Sequence, residues 1–179
     1  MSGQALSFNF NYVTSDGTGN DGSFPDYAFV RLLGGTSPVV LFTASTALSG
    51  NTVPGQGLPG LAPGVTLSPA STPITGGAPT FAPLGGEDSG SCYGTGCGYT
   101  GWITARYVLP AAGSYRLEFN VFNVRDENFN SALAFDYAAG AAGIPTTPSV
   151  VPEPSTYALF GAGLAGLGLV GRRRRRQHA

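Results

Sequence analysis

The chain contains no lysine, and its one histidine, His178, is the second-last residue. Schiff-base chemistry on lysine and Ser-His-Asp or Cys-His nucleophilic chemistry are therefore excluded from residues 1–177. Cysteine is limited to Cys92 and Cys97, so with no histidine nearby a four-ligand zinc site is excluded as well. Charge is scarce: 11% of residues, against about 25% in a typical soluble domain. The Ala/Glu/Lys/Leu-rich composition of long helices and coiled coils is missing. What is abundant is turn former and aromatic side chain: 28 Gly, 14 Pro, 11 Phe and 8 Tyr. That aromatic content speaks against a disordered chain.

The net charge of −1 conceals two unlike parts. Residues 1–149 carry four arginines and nine acids, a balance of −5; residues 150–179 carry five arginines and Glu153, a balance of +4. A sparsely charged, acidic front part has no electrostatic footprint for nucleic acid. The basic part is one block, Arg172, Arg173, Arg174, Arg175 and Arg176.

The front part reads as strands. Leu6, Phe8, Phe10 and Tyr12 alternate with Ser7, Asn9 and Asn11, the period of a half-buried strand. Tyr27 to Leu33 is a second run, and Val39 to Thr43 is placed to pair with it across Gly34-Gly35. Ile103, Ala105, Tyr107 and Leu109 share a face; so do Tyr115, Leu117, Phe119 and Val121, and then Leu133, Phe135 and Tyr137. Period-two runs with Gly/Pro-rich turns predict an all-β, antiparallel β-sandwich over residues 1–139. Residues 32–86 lack any charge. A Gly/Pro-rich insertion, about 44–90, overlaps most of that stretch and reads as a surface excursion covering one sheet edge. It has too much proline for a central strand, with one weak strand near Val65 to Leu67.

The C-terminal end has a clear order. A linker, 140–154, leads to Val151-Pro152-Glu153-Pro154-Ser155, where the prolines keep the chain extended. An uncharged segment, 155–171, follows, and then the basic end, 172–179. Seventeen helical residues span roughly 25 Å, a short match to a bilayer core of about 30 Å. The segment is therefore read as a single C-terminal transmembrane helix. Its glycines are tolerated better in membranes than in water. The arginine block would stay in the cytoplasm, leaving residues 1–154 outside.

This order resembles the PEP-CTERM sorting signal of Gram-negative bacteria, on Val151 to Ser155, Tyr157 to Val170, and Arg172 to Arg176. The resemblance implies export, transient anchoring in the inner membrane, and processing near Pro152-Glu153-Pro154 by an exosortase. This chain would be the substrate. It further implies a cell-envelope or extracellular-matrix protein of biofilms, associated with extracellular polysaccharide. Such a route calls for an N-terminal export signal, with a basic n-region and an apolar h-region. Residues 1–12 read as strand instead, so a truncated or misassigned start is expected. The front part resembles the jelly-roll-like ectodomains of such exported proteins, on Leu6 to Asp16, Pro25 to Leu32 and Thr100 to Tyr137.

Four sets of residues are candidates for chemistry in the front part. Cys92 and Cys97, five apart among glycines, suit a small structural disulfide in an oxidising compartment, whereas a redox pair would want Cys-x-x-Cys spacing. Asp126, Asn128, Asn130 and Asp136 offer oxygens for a structural calcium ion, and Asp16, Asn20, Asp21 and Asp26 offer a second set. Asp and Asn also build turns of their own accord. Tyr93, Tyr99 and Trp102 could stack on sugar rings, although Trp102 is expected in the core. Asp126, Glu127 and Asp136 leave a carboxylate-dependent hydrolase formally open. The leading expectation is a non-enzymatic exported protein, with a carbohydrate-binding module as the first alternative.

Overall fold

A computed structural model describes residues 3–18, 24–47 and 49–137. The linker, the apolar segment 155–171 and the arginine block lie outside the described residues, as do Asn20 and Asp21. Among the described residues no helix is long and apolar enough to cross a membrane.

Among the described residues nine strands form two antiparallel sheets: β1 Ala5–Thr14, β2 Tyr27–Leu33, β3 Val39–Ser45, β4 Thr66–Ser68, β5 Thr75–Gly76, β6 Gly98–Tyr99, β7 Ile103–Val108, β8 Arg116–Phe122 and β9 Ser131–Tyr137. In the larger sheet β1 is central. One of its edges pairs with β7 and β6, the other with β9, while β4 extends the sheet beyond β7 and β5 beyond β6. The smaller sheet has the order β3-β2-β8. The link from β7 to β8 therefore crosses between sheets and makes no hairpin.

Both sheets bury one face in a common core, the arrangement of a β-sandwich. Leu6, Phe8, Phe10 and Tyr12 come from β1, Ala28, Val30 and Leu32 from β2, and Ile103 and Ala105 from β7. Phe10 lies at the centre, its ring 4.8 Å from that of Phe42 on the opposite sheet. Alternation decides the fate of Trp102. Ile103 and Ala105 point into the core, so the residue before Ile103 must point out, and Trp102 is 57% exposed. The expectation that it anchors the core is corrected. Phe135 shares the core face of β9 but sits where the sandwich opens. It is half exposed and stacked on Phe119, with centroids 4.1 Å apart.

The insertion accounts for the burial of β3 on both faces. After Ser45 the chain turns back along the free edge of β3. The amides of Ser45, Gly55 and Ala62 donate to the carbonyls of Thr52, Thr43 and Val40. An edge that would otherwise expose unpaired backbone groups is thereby covered. The weak strand near Val65 is β4, paired with β7 through Leu67 and Ala105.

Candidate functional site

The most unusual chemistry in the described residues lies at the end of the sandwich where β1 stops. Four segments meet there. Thr14-Ser15-Asp16 continues out of β1, and Asp26 immediately precedes β2. The Cys92–Cys97 loop covers the first segment, and the turn from Asn123 to Asn130 joins β8 to β9.

Sheet pairing builds the centre. Thr14 is the register partner of Ser131, which brings their hydroxyls within 2.8 Å. The Ser131 hydroxyl also lies 2.6 Å from Asp26 Oδ2 and donates to it. Asp26 Oδ1 accepts the Val124 backbone N–H at 2.9 Å, tying the β8–β9 turn to the start of β2. The Asp16 amide donates to Thr14 Oγ1 at 3.0 Å. The Tyr12 hydroxyl, wholly buried, donates to Ser131 Oγ at 3.3 Å.

The disulfide loop presses on this centre. Cys92 and Cys97 are joined, with Cα atoms 5.6 Å apart. The amide of Tyr93 donates to the carbonyl of Ser15, and that of Thr18 to the carbonyl of Thr95. The approach is close at Gly17, where an added Cβ would lie 2.6 Å from the Gly94 backbone. We therefore expect Gly17→Ala to displace the loop and lower stability by about 1–3 kcal/mol, the usual range for overpacking, read as a fall in the unfolding midpoint. On its other side the loop stacks Tyr93 on Phe129, centroids 4.1 Å apart.

Two carboxylates are buried in this centre, Asp16 at 3% exposure and Asp26 at 0%. Burial pushes the Asp16 carboxyl up from 3.8 to about 7, and the charges of Asp26 and Asp126 add to the rise, against a hydrogen bond from the Gly17 backbone. Burial likewise raises Asp26 to about 6, restrained by its bonds from Ser131 and Val124. The Tyr12 hydroxyl is raised above its ordinary 10.0, again chiefly by burial. Asp16 Oδ2 has no hydrogen-bond partner among the described residues. No cation of the described residues acts on either acid; their ion pair is Arg31 with Glu118, 2.6 Å apart and far along the sheet.

The expected calcium set is arranged differently. Asp126 Oδ1 accepts the Asn128 amide at 2.9 Å, a local turn. Asn130 is engaged by Asp88, whose Oδ2 accepts both its amide and its side-chain N–H, at 3.1 and 2.6 Å. Asp136 is exposed on β9 opposite Asn9. Asp126 and Asn128 are thus brought together, and Asp136 stands apart from them. Among the described residues no hydrogen bond links Asp126 with Glu127 or Asp136. No three His, Cys, Asp or Glu side chains among the described residues stand close enough to hold a metal ion between them.

A second feature lies on the outer face of the smaller sheet. Tyr27 and Phe29 point away from the core by alternation with Ala28 and Val30. Tyr27 is the register partner of Phe122. The three rings stand nearly parallel, with centroids 4.8 to 6.4 Å apart. Arg31 lies over Phe29, 5.0 Å from its centroid. Beside them is a groove of about 280 Å³ walled by Leu58 and Pro59 of the insertion. The alternation in Tyr27 to Leu33 was the signal for this row, since two aromatics fall on its solvent side. Tyr93 and Tyr99 are also exposed, but they sit in the disulfide loop and in β6 of the larger sheet.

Residues 150–176 match the family described as the PEP-CTERM protein-sorting motif. The match contains Val151 to Ser155, the apolar segment and all five arginines of the block, and it leaves the β-sandwich outside. No curated protein and no solved structure matches the chain. The chain thus carries a C-terminal sorting signal of the kind found on exported substrates of exosortases.

Proposed function

We propose that this chain is a non-enzymatic cell-envelope or extracellular-matrix protein, delivered by its tail and released from it by an exosortase. The supporting observation is the match over residues 150–176, in which Pro-Glu-Pro, apolar segment and arginine block stand in the required order. The mechanism follows from the chemistry of each part. Segment 155–171 enters the inner membrane as a helix, because an uncharged stretch of that length gains by leaving water. The arginines resist translocation and hold the C-terminus in the cytoplasm. Pro152 and Pro154 keep the intervening backbone extended and free of helix, so an enzyme in the membrane can reach it. The sandwich, in our reading jelly-roll-like, is the cargo.

Expression in a bacterium that makes an exosortase tests this. Protein recovered outside the cell should lack the Arg172–Arg176 peptide by mass spectrometry. Replacing Pro152, Glu153 and Pro154 with alanine should leave the full-length chain in the inner membrane. Finding the intact arginine block on released protein would refute the proposal.

A second reading concerns what the cargo does. The row of Tyr27, Phe29 and Phe122 with Arg31 and Glu118 places apolar rings beside planar polar groups, a combination suited to sugar rings and their hydroxyls. Polysaccharide of the extracellular matrix is the proposed ligand class. Each of Tyr27→Ala and Phe122→Ala should weaken binding to such a polysaccharide by about tenfold, equivalent to about 1.4 kcal/mol. A glycan array with no ligand for the intact protein would end this reading.

A further inference from the structure

A buried carboxylate is normally paired with a cation, fully hydrogen-bonded, or bound to a metal. Among the described residues Asp16 finds none of these: it is 3% exposed, Oδ2 has no partner, and no arginine acts on it. The charges that act on it, those of Asp26 and Asp126, are both negative. Asp26, wholly buried, accepts one hydrogen bond on each oxygen. A carboxylate offers about four lone-pair sites, and two of these remain on Asp26. The hydroxyls of Thr14 and Ser131 supply neutral oxygens to the same place. The side-chain groups bonded around the two acids are oxygens, with neither thiolate nor imidazole among them, which selects a hard cation.

We infer that Asp16 and Asp26 form a binding site for one calcium ion, at the end of the sandwich where β1, β2 and the β8–β9 turn converge. Two carboxylates serve as direct ligands, and water completes the six to eight oxygens that calcium takes. Asp126, half-buried on the turn, contributes charge from further out. Calcium suits such a site better than magnesium, which demands a strict octahedron and gives up its waters reluctantly. The ion would hold together three segments that otherwise repel one another through their acids. This site differs from the set at Asp126, Asn128, Asn130 and Asp136, where Asn130 is already engaged by Asp88.

The test uses the purified full chain in mild detergent, stripped with a chelator. Calcium chloride is then added up to about 10 mM, above the 10⁻⁴–10⁻³ M range of extracellular sites. The unfolding midpoint should rise by several degrees and saturate, and isothermal titration should count one ion per chain, with magnesium giving a smaller shift. Asp16→Asn should raise the calcium-free midpoint and abolish the response. Asp26→Asn should weaken the response; if that variant does not fold, the titration of the unaltered chain and of Asp16→Asn decides. No shift and no heat in the unaltered chain would overturn the inference. So would an undiminished response in Asp16→Asn, and a response kept there but lost in Asp136→Asn would place the ion in the other set.

Discussion

Phe10→Ala should lower the stability of the sandwich by about 3–5 kcal/mol, the range for removing a buried phenylalanine from a core that cannot collapse. Natural domains hold about 5–15 kcal/mol in total, so this one change removes a large part of it. The size follows from position. Phe10 is wholly buried in the central strand β1. Its register partners are Ile103 on one side and Phe135 on the other. Its ring also reaches the opposite sheet, at Phe42 and Phe119, 4.8 and 6.3 Å away. The void left by alanine would thus be lined by both sheets, and a single residue cannot sag into it without distorting its ladder. Phe10→Leu retains much of the volume and should cost less. Trp102→Ala supplies the contrast. The side chain is larger but exposed, and surface changes usually stay within about 0.5 kcal/mol. Denaturant midpoints of the three variants check the order. A Trp102→Ala loss as large as that of Phe10→Ala would contradict the placement of Phe10 at the centre of the core and of Trp102 outside it.

The parity of Ile103, Ala105 and Tyr107 already assigns Trp102 to the outside; the expectation of a core tryptophan followed residue type over period. β1, β2, β7, β8 and β9 were legible because alternation over five or more residues suits a half-buried strand. β5 and β6, two residues each, carry no period and are defined by their neighbours. The crossing from β7 to β8 was equally hidden, because a short polar turn between two alternating runs looks the same whether it closes a hairpin or changes sheet. The acid centre shows the same limit. Asp16 and Asp26 were recognisable as oxygen donors, but nearness in sequence grouped them with Asn20 and Asp21. The partners of Asp26, Val124 and Ser131, come from the far end of the chain, because Thr14 and Ser131 are paired in the sheet 117 positions apart. The row of Tyr27, Phe29 and Phe122 likewise depends on a register between β2 and β8 that a single sequence does not print. The sorting signal was fully legible, since it depends on order along the chain and on no tertiary contact.

In the presence of a chelator, the protein should be more stable near pH 4.5 than near pH 8, the reverse of the usual acid loss. The sign follows from Asp16 and Asp26. Their carboxyls titrate near 3.8 when unfolded but at about 7 and about 6 in the folded protein. Between those values the folded state holds more protons than the unfolded one, and stability then falls as pH rises. The stabilising contribution of the protonated acids is fully present below about pH 4 and is lost by about pH 8. A tenfold difference in proton affinity between the folded and unfolded states corresponds to about 1.4 kcal/mol, so the two groups together account for a change on the order of 5 kcal/mol. For a domain of this size that is roughly 10 °C or more in the unfolding midpoint. The groups facing them are Tyr12, whose hydroxyl stays protonated throughout, and Asp126 on the turn; neither supplies a positive charge. Asp16→Asn should therefore flatten the larger part of the slope and raise the midpoint at pH 8, because an uncharged amide takes the place of an unpaired buried carboxylate. Asp26→Asn should flatten the slope less. Its gain is offset because the amide replaces one acceptor oxygen that now serves Val124 or Ser131. Midpoints measured every half unit from pH 4.5 to pH 8.5 decide the matter, and a midpoint that holds constant or climbs with pH would show that the two acids are not buried as charges at all.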